Sequence, residues 1–131
     1  MPFTWIRAMS AARRFGAAVR LQKSGRIKEA RDAFVALNSW LEKDAPANSL
    51  AILSTRFMSL AHLAQVAAQL GDRDLATQSL EQWLATWAAA TAVTPQLRSV
   101  AVLGKWEAWV TATLRTYQDH REGNREPAGH E

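Results

Sequence analysis

The residues that could do chemistry are few and lie far apart in the sequence. The 131-residue chain has no cysteine, which excludes a disulfide framework, a thiolate zinc site and a thiol nucleophile. Of its three histidines, His120 and His130 lie near the end, and His62 stands alone in the predicted third helix. Gln65 and Val66 follow His62 at the spacings where a helical metal site would place a second ligand. We therefore expect His62 to be partly exposed or at the core edge, without a metal.

Carboxylates and hydroxyls show no catalytic pattern either. No two acids of the predicted third to fifth helices project from neighbouring turns of one helix, as a carboxylate pair for acid–base catalysis would favour. The serines lack a nucleophile elbow, and no glycine-rich phosphate loop is present. We therefore predict a protein that is not an enzyme and that uses no metal or cofactor.

The elements that position these residues are predicted to be helices. Apolar residues recur at steps of three and four over about 4–24, 26–43, 48–70, 73–91 and 94–117, and no segment alternates like a strand. Gly25 and Gly71 are predicted helix stops, and Thr4, Asp72 and Thr94 predicted caps. The fold class is all-α, with five helices in antiparallel hairpins. We predict one helical domain over 1–118 and a disordered tail over 119–131.

Composition limits the protein's class and location. Hydrophobic residues make up 48% of the chain and alanine fills 25 positions, which excludes intrinsic disorder. No run approaches the roughly 18–20 apolar residues of a membrane-spanning helix. We therefore expect a soluble or peripheral protein, located in the cytoplasm.

The positive charge is concentrated at the start of the chain. Residues 1–28 contain seven basic residues and no acid, whereas the rest has nine basic and twelve acidic residues. This segment has the composition of a mitochondrial presequence, of a helix that binds an anionic surface, or of a solvated helix face. We favour the solvated face, and we expect peripheral membrane contact more readily than nucleic-acid binding.

The six tryptophans divide into two predicted groups. Trp83, Trp87 and Trp106 fit the apolar stripes of their helices and are expected in the core. Trp5, Trp40 and Trp109 fit less well or lie at helix ends. Because tryptophan is enriched among interface hot spots, these three are candidate partner contacts.

Two junctions between helices look alike. In each, a glycine (Gly25, Gly71) is followed five residues later by alanine (Ala30, Ala76) and preceded seven residues earlier by alanine (Ala18, Ala64). Bulky Phe34 and Leu80 follow four residues after the second alanine.

This pattern resembles the tetratricopeptide repeat, a helix–turn–helix unit with small residues where its helices cross. The resemblance covers roughly residues 8–118 and implies two repeats, a capping helix and a right-handed array. The two glycines are 46 residues apart, against a family period of about 34. Arg14 and Leu60 replace the aromatic residue expected early in each first helix. An unrelated five-helix bundle is the alternative.

The resemblance implies a partner-binding groove lined by the first, third and fifth helices. Together with the candidate contact Trp109, the predicted partner-binding residues are Phe15, Val19, Gln22, Lys23, Met58, Gln65, Gln69, Arg98, Lys105 and Trp109. Their mildly basic character predicts a partner protein or acidic peptide as the ligand.

Three classes of function follow. The first is an interaction module or small adaptor that binds through this groove. The second is a peripheral binder of a membrane or nucleic acid through the basic first helix. The third is a dedicated partner, such as an immunity-type inhibitor, a secretion chaperone or an accessory subunit. Because arrays of this kind usually need three or more repeats, we also expect a homo-oligomer or an obligate complex.

Overall fold

The described part of the chain is helical throughout. The computed structural model describes the backbone of residues 2–44 and 50–130, and the side-chain environments of 6–43 and 50–119. Within these ranges there are five α-helices, one short 3₁₀ helix over Pro95–Ser99 and no strand, so the all-α prediction is confirmed. The helices are α1 (Pro2–Lys23), α2 (Ile27–Asp44), α3 (Leu50–Gln69), α4 (Arg73–Val93) and α5 (Ala101–His130).

The two predicted glycine stops reverse the chain as expected. Gly25 and Gly71 have φ values of 83° and 76°, in the left-handed region that side chains disfavour. At the second junction Asp72 caps α4, because its Oδ1 accepts a hydrogen bond from the Leu75 amide at 3.1 Å. Thr94 occupies the predicted N-cap position ahead of Pro95, but its side chain makes no capping hydrogen bond.

The predicted fifth helix is divided in two. Pro95–Ser99 forms a 3₁₀ helix, and Val100 is extended, with φ −79° and ψ 106°, so α5 begins at Ala101. At its other end α5 continues to His130, through most of the range predicted as a disordered tail. Extending an existing helix adds hydrogen bonds without a new nucleation cost, except at Pro127, which has no N–H to donate.

The helices form a bundle of two rows. Each helix packs on the next in sequence, and α1 with α3 and α3 with α5 also contact each other. The helices α1, α3 and α5 therefore make one row, and α2 and α4 fill the other. Helix α3 is in the middle and contacts all four of the other helices.

The core consists of three apolar clusters that α3 connects. Ile52 belongs to the cluster between α1 and α2, Leu63 to the cluster beneath the first turn, and Phe57 to the largest cluster, with α4 and α5. The predicted core tryptophans Trp83 and Trp87 are buried there. The Trp83 indole N–H donates to the Phe57 carbonyl at 2.9 Å, which satisfies its polar end.

Candidate functional site

One side of α3 is left uncovered by the bundle. Met58, His62, Gln65 and Gln69 follow one another at steps of three and four, so they lie on one helical face. These residues are half-buried or exposed, whereas the other sides of the helix are largely buried. We call the surface formed by this stripe and the adjoining residues of α1 and α5 the inner face.

His62 is at the centre of the inner face and contacts three other helices. Its ring stacks on Phe34 of α2, with centroids 5.7 Å apart and planes 18° apart. The edge-on contact with Phe15 of α1 is 5.3 Å, and Trp106 of α5 lies at 5.5 Å. The ring contacts of His62 therefore join α1, α2 and α5 to α3.

A hydrogen bond determines how His62 is oriented. Its Nδ1 lies 2.9 Å from Oε1 of Gln22 on α1. Because an amide oxygen can only accept, Nδ1–H is the donor in this arrangement. Burial lowers the pKa of His62 below 6.5, and the nearby Lys23 ammonium lowers it further. The neutral ring then carries its proton on Nδ1 and leaves Nε2 as an acceptor for a donor from outside.

The four predicted residues of α1 do come together near His62. Phe15 and Val19 are half-buried and pack against the cluster that contains Phe34. Gln22 bonds His62, and Lys23 is exposed but close enough to influence its charge. This end of the inner face combines aromatic surface, an amide and a free positive charge.

The predicted residues of α3 and α5 continue the surface. Met58 and Gln65 are half-buried and Gln69 is exposed, all on the uncovered side of α3. On α5, the half-buried Trp109 meets Trp106 edge-on at 5.5 Å, next to the exposed Lys105.

Arg98 is the predicted partner-binding residue whose described contacts lie away from His62. It lies in the 3₁₀ helix, which packs on α4 and α5. Its Nη2 is 3.4 Å from the Thr91 hydroxyl at the end of α4. The described contacts thus place Arg98 against α4 and not beside His62.

The central residues of the site were not predicted as binding residues. His62 was expected at the core edge, Phe34 was noted only as a bulky residue of the repeat-like pattern, and Trp106 was expected in the core. The signal for His62 was nevertheless present, because it follows Met58 by four residues and precedes Gln65 by three. Its ring partners come from other helices, and no local spacing could have identified them.

The basic α1 residues remain largely accessible. Arg7, Arg13, Arg20 and Lys23 are exposed, as are the apolar side chains of Ile6 and Met9 near the helix start. Arg14 lies over the Trp40 ring at 4.8 Å, a cation–π contact that occupies one of the candidate partner tryptophans. The side chain of Trp5, another candidate, lies outside the described residues.

Two further features concern metal binding and membrane insertion. Among the described residues, no three His, Asp or Glu side chains lie close enough to hold a metal ion. In the same part of the chain, α3 alone has the length and mean hydropathy, 1.2, of a membrane span, although no such run was expected. However, 56% of that stretch is buried inside the bundle, and a central core position by itself accounts for its apolar composition.

Comparisons with known proteins give no further guide to the site. Neither a family model, nor a curated protein, nor a solved structure matches this chain.

Proposed function

We propose that this protein is a non-enzymatic interaction module that binds a partner protein or acidic peptide on the inner face. The observation that carries the proposal is the His62 cluster, where half-buried side chains of α1, α3 and α5 meet against the buried Phe34 of α2. Half-buried aromatic residues beside adaptable amides are typical of protein interfaces.

The charges around the inner face favour an acidic ligand. Lys23 and Lys105 are exposed, and neither forms an ion pair with a described residue. Such cations raise the association rate of an acidic partner and select against basic ones. The amides of Gln22 and Gln65, together with Nε2 of His62, offer hydrogen bonds to a peptide backbone.

The resemblance to tetratricopeptide repeats is part of this proposal. It is supported by the two glycines with positive φ at equivalent junctions and by complete or nearly complete burial of Ala18, Ala30, Ala64 and Ala76. The order of packing, in which α1, α3 and α5 form one row, also suits a groove lined by alternate helices.

The proposal is tested by selecting peptides from a displayed random library on the full chain and measuring their affinities. We expect acidic peptides to be enriched, and the double variant Lys23→Glu, Lys105→Glu to bind them about tenfold or more weakly. The double variant Lys28→Glu, Lys43→Glu is the matched control, because both are exposed cations on α2, a helix outside those that form the inner face. Equal affinity of the Lys23→Glu, Lys105→Glu variant, or equal loss in the control, would overturn the proposal.

A further inference from the structure

A cavity lies on the opposite side of α3 from the inner face. It has a volume of about 430 Å³ and is formed between α3 and α4 by Leu53, Arg56, Ala85, Thr86, Ala89, Ala90 and Val93. Arg56 precedes Met58 by two residues, which is a rotation of about 200° around the helix. The volume falls within the range of roughly 300–1,000 Å³ that is usual for small-molecule sites.

Arg56 is the charged residue of this cavity, and it has no partner in the described fold. Its side chain is half-buried, and it makes no hydrogen bond or ion pair with another described residue. None of the described residues that line the cavity is acidic. An unpaired guanidinium at the wall of an apolar cavity favours an anion as its partner, and a carboxylate matches it in bidentate geometry.

The rest of the lining is apolar and small. Leucine, valine and three alanines make up the walls, and Val93 is 70% exposed at the end of α4. The small alanine side chains leave the space open, while Thr86 supplies one hydroxyl to the lining. A ligand for these walls needs an apolar body.

We propose that this cavity binds a small carboxylate with an apolar chain, of the fatty-acid class. The carboxylate pairs with Arg56 and the chain lies along the alanines of α4. A peptide with a C-terminal carboxylate would offer the same charge. Its backbone amides, however, would meet a lining with a single hydroxyl and would be desolvated without partners. This ligand is separate from the partner proposed for the inner face.

Isothermal titration calorimetry of the full chain with decanoate tests the proposal. We expect binding of decanoate and, because the charged hydrogen bonds are lost, about tenfold or more weaker binding of decanol and of decanoate to Arg56→Gln. Arg115→Gln is the matched control, since Arg115 is an exposed arginine on α5, and it should bind like the unaltered protein.

Two cavity-filling variants test the position of the chain. Ala85→Phe and Ala89→Phe change exposed positions on α4, so both should retain the helical circular dichroism spectrum and lose decanoate binding. The proposal is overturned if the unaltered protein does not bind decanoate, or if Arg56→Gln binds it equally. It is also overturned if decanol binds equally, if a short peptide ending in leucine binds more tightly than decanoate, or if both folded phenylalanine variants still bind. Lys23→Glu and Lys105→Glu should not affect this binding, so either proposal can fail alone.

Discussion

At the scale of the residue, His62 shows how tertiary contacts assign a role that helical spacing left open. The sequence predicted a histidine at the core edge, and the structure places it there, half-buried. Its hydrogen bond to Gln22 and its three ring contacts are made with residues at least 28 positions away in sequence. Long-range packing therefore converted an isolated histidine into the centre of the candidate site.

The lowered pKa of His62 predicts a pH dependence of stability. In the unfolded chain His62 titrates near 6.5, and in the folded protein it titrates at lower pH because of burial and Lys23. Below pH 6.5 the unfolded state therefore binds protons first, so the free energy of unfolding falls as the pH drops toward the folded pKa. Above pH 6.5 this histidine makes no pH-dependent contribution.

The variant His62→Gln isolates this effect, because glutamine can still bond Gln22 but does not titrate. Urea unfolding at about pH 7.5 and about pH 5 should show a smaller loss of stability for the variant than for the unaltered protein. The other groups that contact the ring, Phe15, Phe34, Gln22 and Trp106, carry no charge. An equal loss in both proteins would show that His62 is not the group responsible.

At the scale of the element, the ends of the helices were the best predicted features. The glycines and Asp72 act through local backbone geometry, which depends on residue type alone. Gly104 in the first turn of α5 is exposed, and a methyl group added there would meet no atom within 4 Å.

Alanine substitutions at two glycines should therefore have opposite effects. Gly71→Ala should destabilise the protein by about 1–2 kcal/mol, because alanine must adopt a positive φ, although its methyl group has space. Gly104→Ala should stabilise it by about 0.5–1 kcal/mol, since alanine is the better helix former and nothing obstructs it. Thermal or urea unfolding of both variants measures this. A stabilising Gly71→Ala, or a destabilising Gly104→Ala, would contradict the local geometry.

At the scale of the whole molecule, α3 connects the three apolar clusters of the core. The sequence alone did not predict that one helix would contribute to all three. Because it contributes to each cluster, neither the α1–α2 hairpin nor α4 can separate without exposing apolar surface of α3. We therefore expect the two halves to unfold together, as small single domains usually do.

Native-state hydrogen exchange measures this coupling. The amides of Ala30 in α2 and Leu80 in α4, both fully buried residues, should exchange with the same free energy of opening. Leu63→Ala, in the cluster next to Ala30, should lower both values together by about 2–5 kcal/mol. A lower value at Ala30 alone would show that the α1–α2 hairpin opens independently.

The sequence by itself determined the helices, the turns and which faces are apolar. These properties follow from the spacing of apolar side chains along a helix and from the few residue types able to end one. Each is therefore fixed by a short stretch of sequence. Seven of the predicted partner-binding residues lie on α1 or α3, around His62 or on the uncovered side of α3, although their binding role stays a prediction: Phe15, Val19, Gln22, Lys23, Met58, Gln65 and Gln69.

Only the tertiary structure decided which residues meet across helices. It brought Phe15, Phe34 and Trp106 onto His62, placed Arg98 against α4 and placed Arg56 at an apolar cavity with no acidic partner among the described residues. The physical reason is that the helical period determines on which face of its own helix a side chain lies, but not which residue of another helix it contacts. That neighbour is set by the packing of five helices at once, through contacts between residues distant in sequence.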